Sequence, residues 1–172
     1  MIRNMTDTDI GWVHALNTVH EVELSPLTEA ATARLAGKAF AARVADPEAA
    51  FLFAFDQDAD YDSPNFLWFR QTYDRFVYVD RVAVSDLHRR KGLAGALYDA
   101  LFTAARAAGH DRVVCEVNSA PPNPGSDAFH AARGFRMVGE AHLGDRGKTV
   151  RYLACDPGAE RAPIRHRQAP SA

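Results

Sequence analysis

The sequence lacks the features of an exported, membrane-spanning or metal-holding protein. Its 172 residues contain only two cysteines, Cys115 and Cys155, with no Cys-x-x-Cys pair and no cluster of histidines. Because both lie in apolar runs, we predict buried thiols in a reducing compartment, and neither a disulfide nor a metal site. There is no signal-peptide pattern and no apolar run of about 18 residues, which favours a cytoplasmic protein that does not enter a membrane.

Positive charge is not in excess either. The 20 Lys and Arg residues are balanced by 22 Asp and Glu residues, for a formal net charge of −2. No overall basic field would recruit nucleic acid, so any recognition of an anion must be local. The 47% hydrophobic and 24% charged residues are ordinary for a globular domain. We predict one domain over residues 1–155 and a flexible C-terminal tail over 156–172, where apolar residues are few.

Hydrophobic periodicity and turn residues predict a mixed α/β domain. Strands are expected at 1–4, 43–45, 50–55, 76–84, 112–118, 135–142 and 149–155, and helices at 6–20, 28–42, 92–108 and 126–133. The segment 56–74 is acidic and aromatic, and is predicted to be a long loop that covers the sheet. It either lines a substrate pocket or is only a satellite hydrophobic cluster.

The most informative stretch joins the strand that ends at Val84 to the helix that begins near Gly92. The loop between them carries three basic residues, Arg89, Arg90 and Lys91. The first amides of a helix have no intrahelical partner, and the helix dipole adds positive charge there. Gly92 and Gly95 allow a phosphate to approach the backbone. The pattern predicts a phosphate-binding turn, with a merely solvated basic loop as the alternative.

Two motifs, together with the order of the elements, resemble the GNAT superfamily of acetyl-CoA-dependent N-acetyltransferases. The first, Arg/Gln-x-x-Gly-x-Gly/Ala, is matched by Arg89, Gly92 and Ala94. The second, Asn-x-x-Ser/Ala-x-x-x-Tyr-x-x-x-Gly-Phe, is filled by Asn123, Ser126, His130, Gly134 and Phe135. The resemblance covers about residues 1–155. It implies a GNAT fold, in which a mixed central sheet of about six or seven strands has a splayed parallel pair and about four flanking helices.

The resemblance also implies acetyl-CoA as co-substrate. Its pyrophosphate is expected on the basic turn, and its pantetheine arm beside the preceding strand, like an added strand. The expected cofactor-binding residues are Val82, Ala83, Val84, Arg89, Arg90, Lys91, Gly92, Leu93, Ala94, Gly95, Asn118, Asn123, Ser126, Phe129 and His130.

Acetyl transfer needs a neutral amine, a stabilised oxyanion and a proton for the leaving thiolate. The amide of Val84 or a neighbour is expected to polarise the thioester. Glu116 is the expected base, with a surface carboxylate paired to a basic side chain as the alternative, and Asp80 is the second candidate. His130 stands where many family members have tyrosine, so it is a candidate acid. Tyr78 or Tyr73 is the alternative acid.

The predicted function is transfer of an acetyl group from acetyl-CoA to a primary amine of a small molecule or peptide, by direct attack in a ternary complex. The alternative is a non-catalytic acyl-CoA sensor or scaffold with the same fold. A dinucleotide-binding fold is disfavoured because Leu97 replaces the third fingerprint glycine. The aromatic and acidic segment 56–74, which contains Trp68, predicts that a cationic amine or a flexible N-terminus is attracted there by cation–π contact. The expected partners are coenzyme A and the amine acceptor, without nucleic acid or membrane, and a homodimer is left open.

Overall fold

The computed structural model describes residues 1–144 and 147–159 and contains one seven-stranded sheet, in the order β1-β2-β3-β4-β5-β7-β6. The strands are β1 Ile2–Asn4, β2 Ala41–Ala45, β3 Ala50–Asp56, β4 Val77–Val84, β5 Val113–Ala120, β6 Arg136–Leu143 and β7 Lys148–Cys155. The helices are α1 Ile10–Val19, α2 Glu21–Leu24, α3 Glu29–Lys38, α4 Pro64–Thr72, α5 Leu93–Ala107 and α6 Pro124–Ala132. All adjacent strands are antiparallel except β4 and β5.

Two hydrophobic layers cover the sheet, one on each face. On one face α5 packs through Leu97, Tyr98, Leu101 and Phe102 against alternate residues of the central strands. On the other face Val13 of α1 and the phenylalanines of α4 pack against the opposite set of strand residues. The central strand β3 is buried on both faces from Ala50 to Phe55, as expected for a strand between two helical layers.

The parallel strands β4 and β5 are paired only at their beginnings. The register joins Val77 to Val113 and Tyr78 to Val114, and the two strands then separate. Further along β4, Val79 and Arg81 pair with consecutive residues of β3, so Asp80 is the extra residue of a β-bulge. The separation opens a cleft in the middle of the sheet, between the carboxyl-terminal halves of β4 and β5.

The predicted GNAT fold, with its mixed sheet and splayed parallel pair, is confirmed, but the described chain has six α-helices and not about four. The largest difference is α4, which forms inside the segment predicted to be a loop. Ser63 followed by Pro64 at the first helical position is a helix-start signal that the prediction overlooked. Both cysteines are buried thiols that form no disulfide. Residues 145–146, between the predicted strands 135–142 and 149–155, and residues 160–172 of the predicted tail lie outside the described residues.

No group of three or more His, Cys, Asp or Glu side chains within residues 1–144 and 147–159 is arranged to hold a metal ion. Within the same ranges, no helix combines the length and apolarity needed to cross a membrane.

Candidate active site

The cleft between β4 and β5 contains a cavity of about 400 Å³, here called the donor cavity. Its walls come from the second half of β4, the middle of β5 and the start of α6. Among its lining residues are ten that the sequence singled out: Asp80, Val82, Ala83, Val84, Arg89, Glu116, Asn118, Asn123, Ser126 and His130. Beyond Tyr78, the edge of β4 that faces β5 has no strand partner among the described residues, so it is open to an added extended segment.

The predicted phosphate-binding turn lies at the start of α5. Gly92 is the N-cap in the left-handed region, with φ +76°, and the first intrahelical bond runs from Ala96 N–H to its carbonyl. The amides of Leu93, Ala94 and Gly95 therefore have no intrahelical partner. Arg89, Arg90 and Lys91 are all exposed, and Arg89 also lines the donor cavity and pairs with Asp86 at 2.8 Å. The turn and the open edge of β4 thus fit the diphosphate and pantetheine parts of coenzyme A.

Arg133 is a cation at this turn that the sequence analysis missed. A Cβ on Gly95 would lie 2.6 Å from Arg133 Nη2, so the guanidinium passes directly over Gly95. The same guanidinium bonds to Asp99 at 2.8 Å and lies over the rings of Tyr98 and Phe129. Gly95 therefore makes room for an arginine, a role in addition to the predicted approach of a phosphate.

A second cavity, of about 390 Å³, lies on the opposite side of the cleft and is here called the acceptor cavity. Segments 23–27, 61–65, 80–81 and the start of β7 surround it. The two cavities share part of their walls, and the polar residues they share are Glu23, Asp80, Arg81, Glu116 and Asn118. The shared wall is where a ligand in one cavity would meet a ligand in the other.

Glu116 lies in this shared wall, on the face of β5 that is turned toward α4. Its Oε2 atom is buried and has no hydrogen-bond partner in the described part of the chain. Burial, and then the negative charge of Asp80, raise its pKa from 4.5 to about 7. Near neutral pH the carboxyl group can therefore both accept and release a proton, as a general base must.

Asp80, the second candidate base, has both carboxylate oxygens engaged. Arg81 Nε bonds to one oxygen at 2.6 Å, and the Tyr61 hydroxyl donates to the other at 2.6 Å. Arg81 in turn donates to the buried Asn17 at 2.8 Å. The structure thus places Asp80 beside Glu116 as a charge held in a network of hydrogen bonds.

His130 lies at the donor cavity with both ring nitrogens occupied. Nδ1 is 2.8 Å from the Ser126 carbonyl, which can only accept, so Nδ1 carries the hydrogen. Burial lowers the pKa of His130, and in the resulting neutral ring Nε2 accepts from the Tyr98 hydroxyl at 2.8 Å. Tyr98, which the sequence analysis did not select, therefore joins His130 at this wall.

Four other selected aromatic residues do not line either cavity. Tyr78 is fully buried beneath the shared wall, and its hydroxyl has no partner among the residues described. Phe129 packs on Tyr98. Trp68 stacks on Tyr152 with ring centres 4.2 Å apart, and Tyr73 lies under Arg112 at a separate surface depression. Trp68, the residue predicted to contact a cationic acceptor, lines neither cavity, and the aromatic residue of this segment that lines the acceptor cavity is Tyr61.

Comparisons with known proteins give matches to acetyltransferases. Residues 65–135 match the model described as the acetyltransferase (GNAT) family. Similar solved structures include Ard1 from Thermoplasma volcanium, which is 18% identical, with 91% of this chain and 96% of that chain covered and a TM-score of 0.72. The ribosomal-protein-S18-alanine N-acetyltransferase from Escherichia coli is 16% identical, with 95% and 97% covered and a TM-score of 0.67.

A third solved structure, yncA from Salmonella typhimurium with its cofactor acetyl-CoA, is 17% identical, with 95% and 96% covered and a TM-score of 0.66. At these identities the structural likeness shows the fold alone. No curated protein matches the sequence.

Proposed function

Because residues 65–135 match the acetyltransferase (GNAT) family and the fold is shared with solved N-acetyltransferases, we propose that the chain transfers the acetyl group of acetyl-CoA to a primary amine of a small molecule or peptide. The observation that carries the proposal is the position of Glu116, whose buried carboxylate lies in the wall shared by the donor and acceptor cavities. A base at that point can act on the amine while both reactants are bound, which suits direct attack in a ternary complex.

In this proposal the donor site is built mainly from backbone groups. Acetyl-CoA supplies an activated acetyl thioester. The free amides at the start of α5, with Arg89 beside them, hold the diphosphate. The open edge of β4 at Val82 and Val84 pairs with the pantetheine arm, and the amide of Val84 or a neighbour polarises the thioester carbonyl. Asn123 and Ser126 approach the arm near its sulfur, although Asn123 Oδ1 also accepts from the Ser126 amide at 3.2 Å to cap α6.

The remaining polar residues take separate roles. Glu116 removes the proton of the attacking amine, because a pKa of about 7 leaves a useful fraction ionised at neutral pH. The negative charge of Asp80 keeps the pKa of Glu116 high, and Glu116 itself carries out the proton transfer. His130, whose nitrogens are both engaged, orients the Tyr98 hydroxyl at the donor cavity and is not itself the proton donor.

The test is a screen of amines and of peptides with free N-termini, in which release of free thiol from acetyl-CoA is followed. Peptide N-termini belong in the screen because one structural neighbour is named as an N-acetyltransferase of a ribosomal protein. We expect turnover with at least one acceptor class and a strong loss of kcat in Glu116→Gln, without loss of acetyl-CoA binding. Glu140→Gln, an exposed carboxylate on β6, is the matched control.

The second candidate function is an acyl-CoA sensor or scaffold that does not catalyse. It predicts binding of acetyl-CoA by calorimetry, no thiol release with any acceptor, and no effect of Glu116→Gln on binding. That combination of results would replace the enzyme proposal.

A further inference from the structure

A polar connection runs from β7 through α4 to Glu116. Tyr152 lies directly opposite Glu116 in the β5–β7 ladder, and its hydroxyl donates to Asn65 Oδ1 at 3.0 Å. Asn65 belongs to the first turn of α4, is only 5% exposed, and lines the acceptor cavity together with Glu116. Because Tyr152 occupies the amide oxygen, the N–H groups are the part of Asn65 left to face the cavity and Glu116.

Glu116 needs such a donor. A buried carboxylate oxygen without a hydrogen-bond partner is costly, and Oε2 has none within the described ranges. Several charged or titratable groups face Glu116 on its side of the sheet: Tyr78, Asp80 and Arg81 on β4, Tyr152 on β7, Tyr61 before α4, and Glu23 on α2. Lys148 at the rim donates to the Val22 carbonyl at 2.8 Å, so its ammonium is held at the cavity edge.

Most of these neighbours have their donors engaged elsewhere or are acids. Arg81 is bonded to Asp80 and Asn17, and Tyr61 donates to Asp80. Besides the amide of Asn118, which lines both cavities, Tyr78 and Asn65 are the donors that remain. Neither makes a hydrogen bond of ordinary geometry with Glu116 Oε2. Both nevertheless lower the pKa of Glu116 against the effect of burial, Tyr78 more than Asn65.

We propose that Asn65 is a positioning residue which, held by the Tyr152 hydroxyl, directs its amide N–H to the ionised Glu116 and so sets the orientation of that carboxylate toward the acceptor. The inference rests on the proposed role of Glu116 as the base. It goes beyond that role because it assigns the control of the base to α4, on the acceptor side of the cleft.

The packing behind Tyr152 makes the connection rigid. Its ring is stacked on Trp68 at 4.2 Å and 21°, and meets Phe69 edge-on at 5.1 Å. Trp68 is confined from the other side, since a Cβ on Gly139 would lie 2.6 Å from its ring. Removing the hydroxyl of Tyr152 therefore leaves its ring in place, which makes Tyr152→Phe a selective perturbation.

The experiment is an NMR titration of the free protein with ¹³C-labelled glutamate carboxyl groups. Glu116 is assigned by the resonance that Glu116→Gln removes. We expect the Glu116 carboxyl group of the wild type to titrate with a midpoint near pH 7. Asn65→Ala should raise the midpoint by about one pH unit, because it removes a hydrogen bond to the charged form. Tyr152→Phe should raise the midpoint by a smaller amount, because the side-chain amide of Asn65 loses the hydrogen bond that holds it in place.

Tyr73→Phe is the matched control, since it removes a hydroxyl from the far end of α4, away from both cavities. Its Glu116 midpoint should equal that of the wild type. An unchanged midpoint in both Asn65→Ala and Tyr152→Phe overturns the proposal, and a change in Asn65→Ala alone overturns the part assigned to Tyr152. If Asn65→Ala does not fold, Tyr152→Phe decides.

The titration is read without any ligand, so it is independent of turnover. Shifted midpoints in a protein that releases no thiol with any acceptor would refute the proposed function and leave the Asn65–Glu116 contact standing. Turnover that depends on Glu116, combined with unshifted midpoints, would support the proposed function and refute the Asn65–Glu116 contact.

Discussion

Replacing Glu116 with glutamine should stabilise the fold at and above neutral pH. Burial, and next the charge of Asp80, raise the pKa of Glu116 from 4.5 to about 7 in the folded protein. That gap of about 2.5 units corresponds to about 3 kcal/mol of unfavourable free energy when the carboxyl group is ionised in the fold. Glutamine has nearly the same shape and stays neutral, so the fold of Glu116→Gln does not include the free energy of a buried ionised group.

The sign follows from proton binding. Between pH 4.5 and 7 the folded protein holds a proton on Glu116 that the unfolded chain has already released. The contribution of Glu116 to stability is therefore complete below pH 4.5 and is lost as the pH rises through 7. The free energy of unfolding of Glu116→Gln should match the wild type in acid and exceed it by about 3 kcal/mol at high pH.

Urea unfolding at several values between about pH 4.5 and 8.5 measures the difference directly. The exposed Glu140→Gln on β6 is measured alongside as the control substitution. A stability gap for Glu116→Gln that stays constant across the range, or that shrinks as the pH rises, would refute the reasoning. It would mean that Glu116 ionises in the fold at least as easily as in the unfolded chain.

Glycine substitutions test the packing around the site. Gly139→Ala should cost about 1–3 kcal/mol in urea unfolding, because its Cβ meets the confined Trp68 ring. The control Gly37→Ala in α3, which has nothing within 4 Å, should instead stabilise by about 0.5–1 kcal/mol; equal effects of the two would contradict this. Gly92→Ala has space but φ +76°, so about 1 kcal/mol of strain should lower Tm and weaken acetyl-CoA binding by calorimetry. An unchanged Tm would contradict it.

The donor side was predictable because its signals are local in sequence. A run of β-branched residues, a basic loop and an apolar helical stripe are consecutive, and each follows from rules that act within a few residues. The helix predicted from about Gly92 begins at Leu93, with Gly92 as its cap. Asn123 caps the next short helix, which extends over Pro124–Ala132. The proposal that these residues bind coenzyme A rests on that agreement in position.

The face of β4 that each residue occupies was not predictable. Strict alternation places Tyr78, Asp80 and Val82 on one face. The bulge at Asp80 adds one residue, so Tyr78 packs with the α4 layer and Val82 with the α5 layer. Nothing in the sequence of β4 specifies the bulge, because it is defined by the pairing with β3. Tyr78 itself still pairs with Val114, before β4 and β5 separate, so it lies under the wall of the cleft and does not line either cavity.

The surroundings of the acceptor cavity were also not predictable from the sequence. Position on β5 was enough to select Glu116, but the environment that sets its pKa comes from residues far apart in the chain. Asn65 is on α4, and Tyr152 is on the last strand. Asp80 is fixed by Arg81, which reaches back to Asn17 on the first helix. A contiguous motif can specify a site that binds its ligand through backbone amides, whereas a cavity assembled from segments far apart in the chain, such as 23–27, 61–65 and the start of β7, leaves no motif in the sequence.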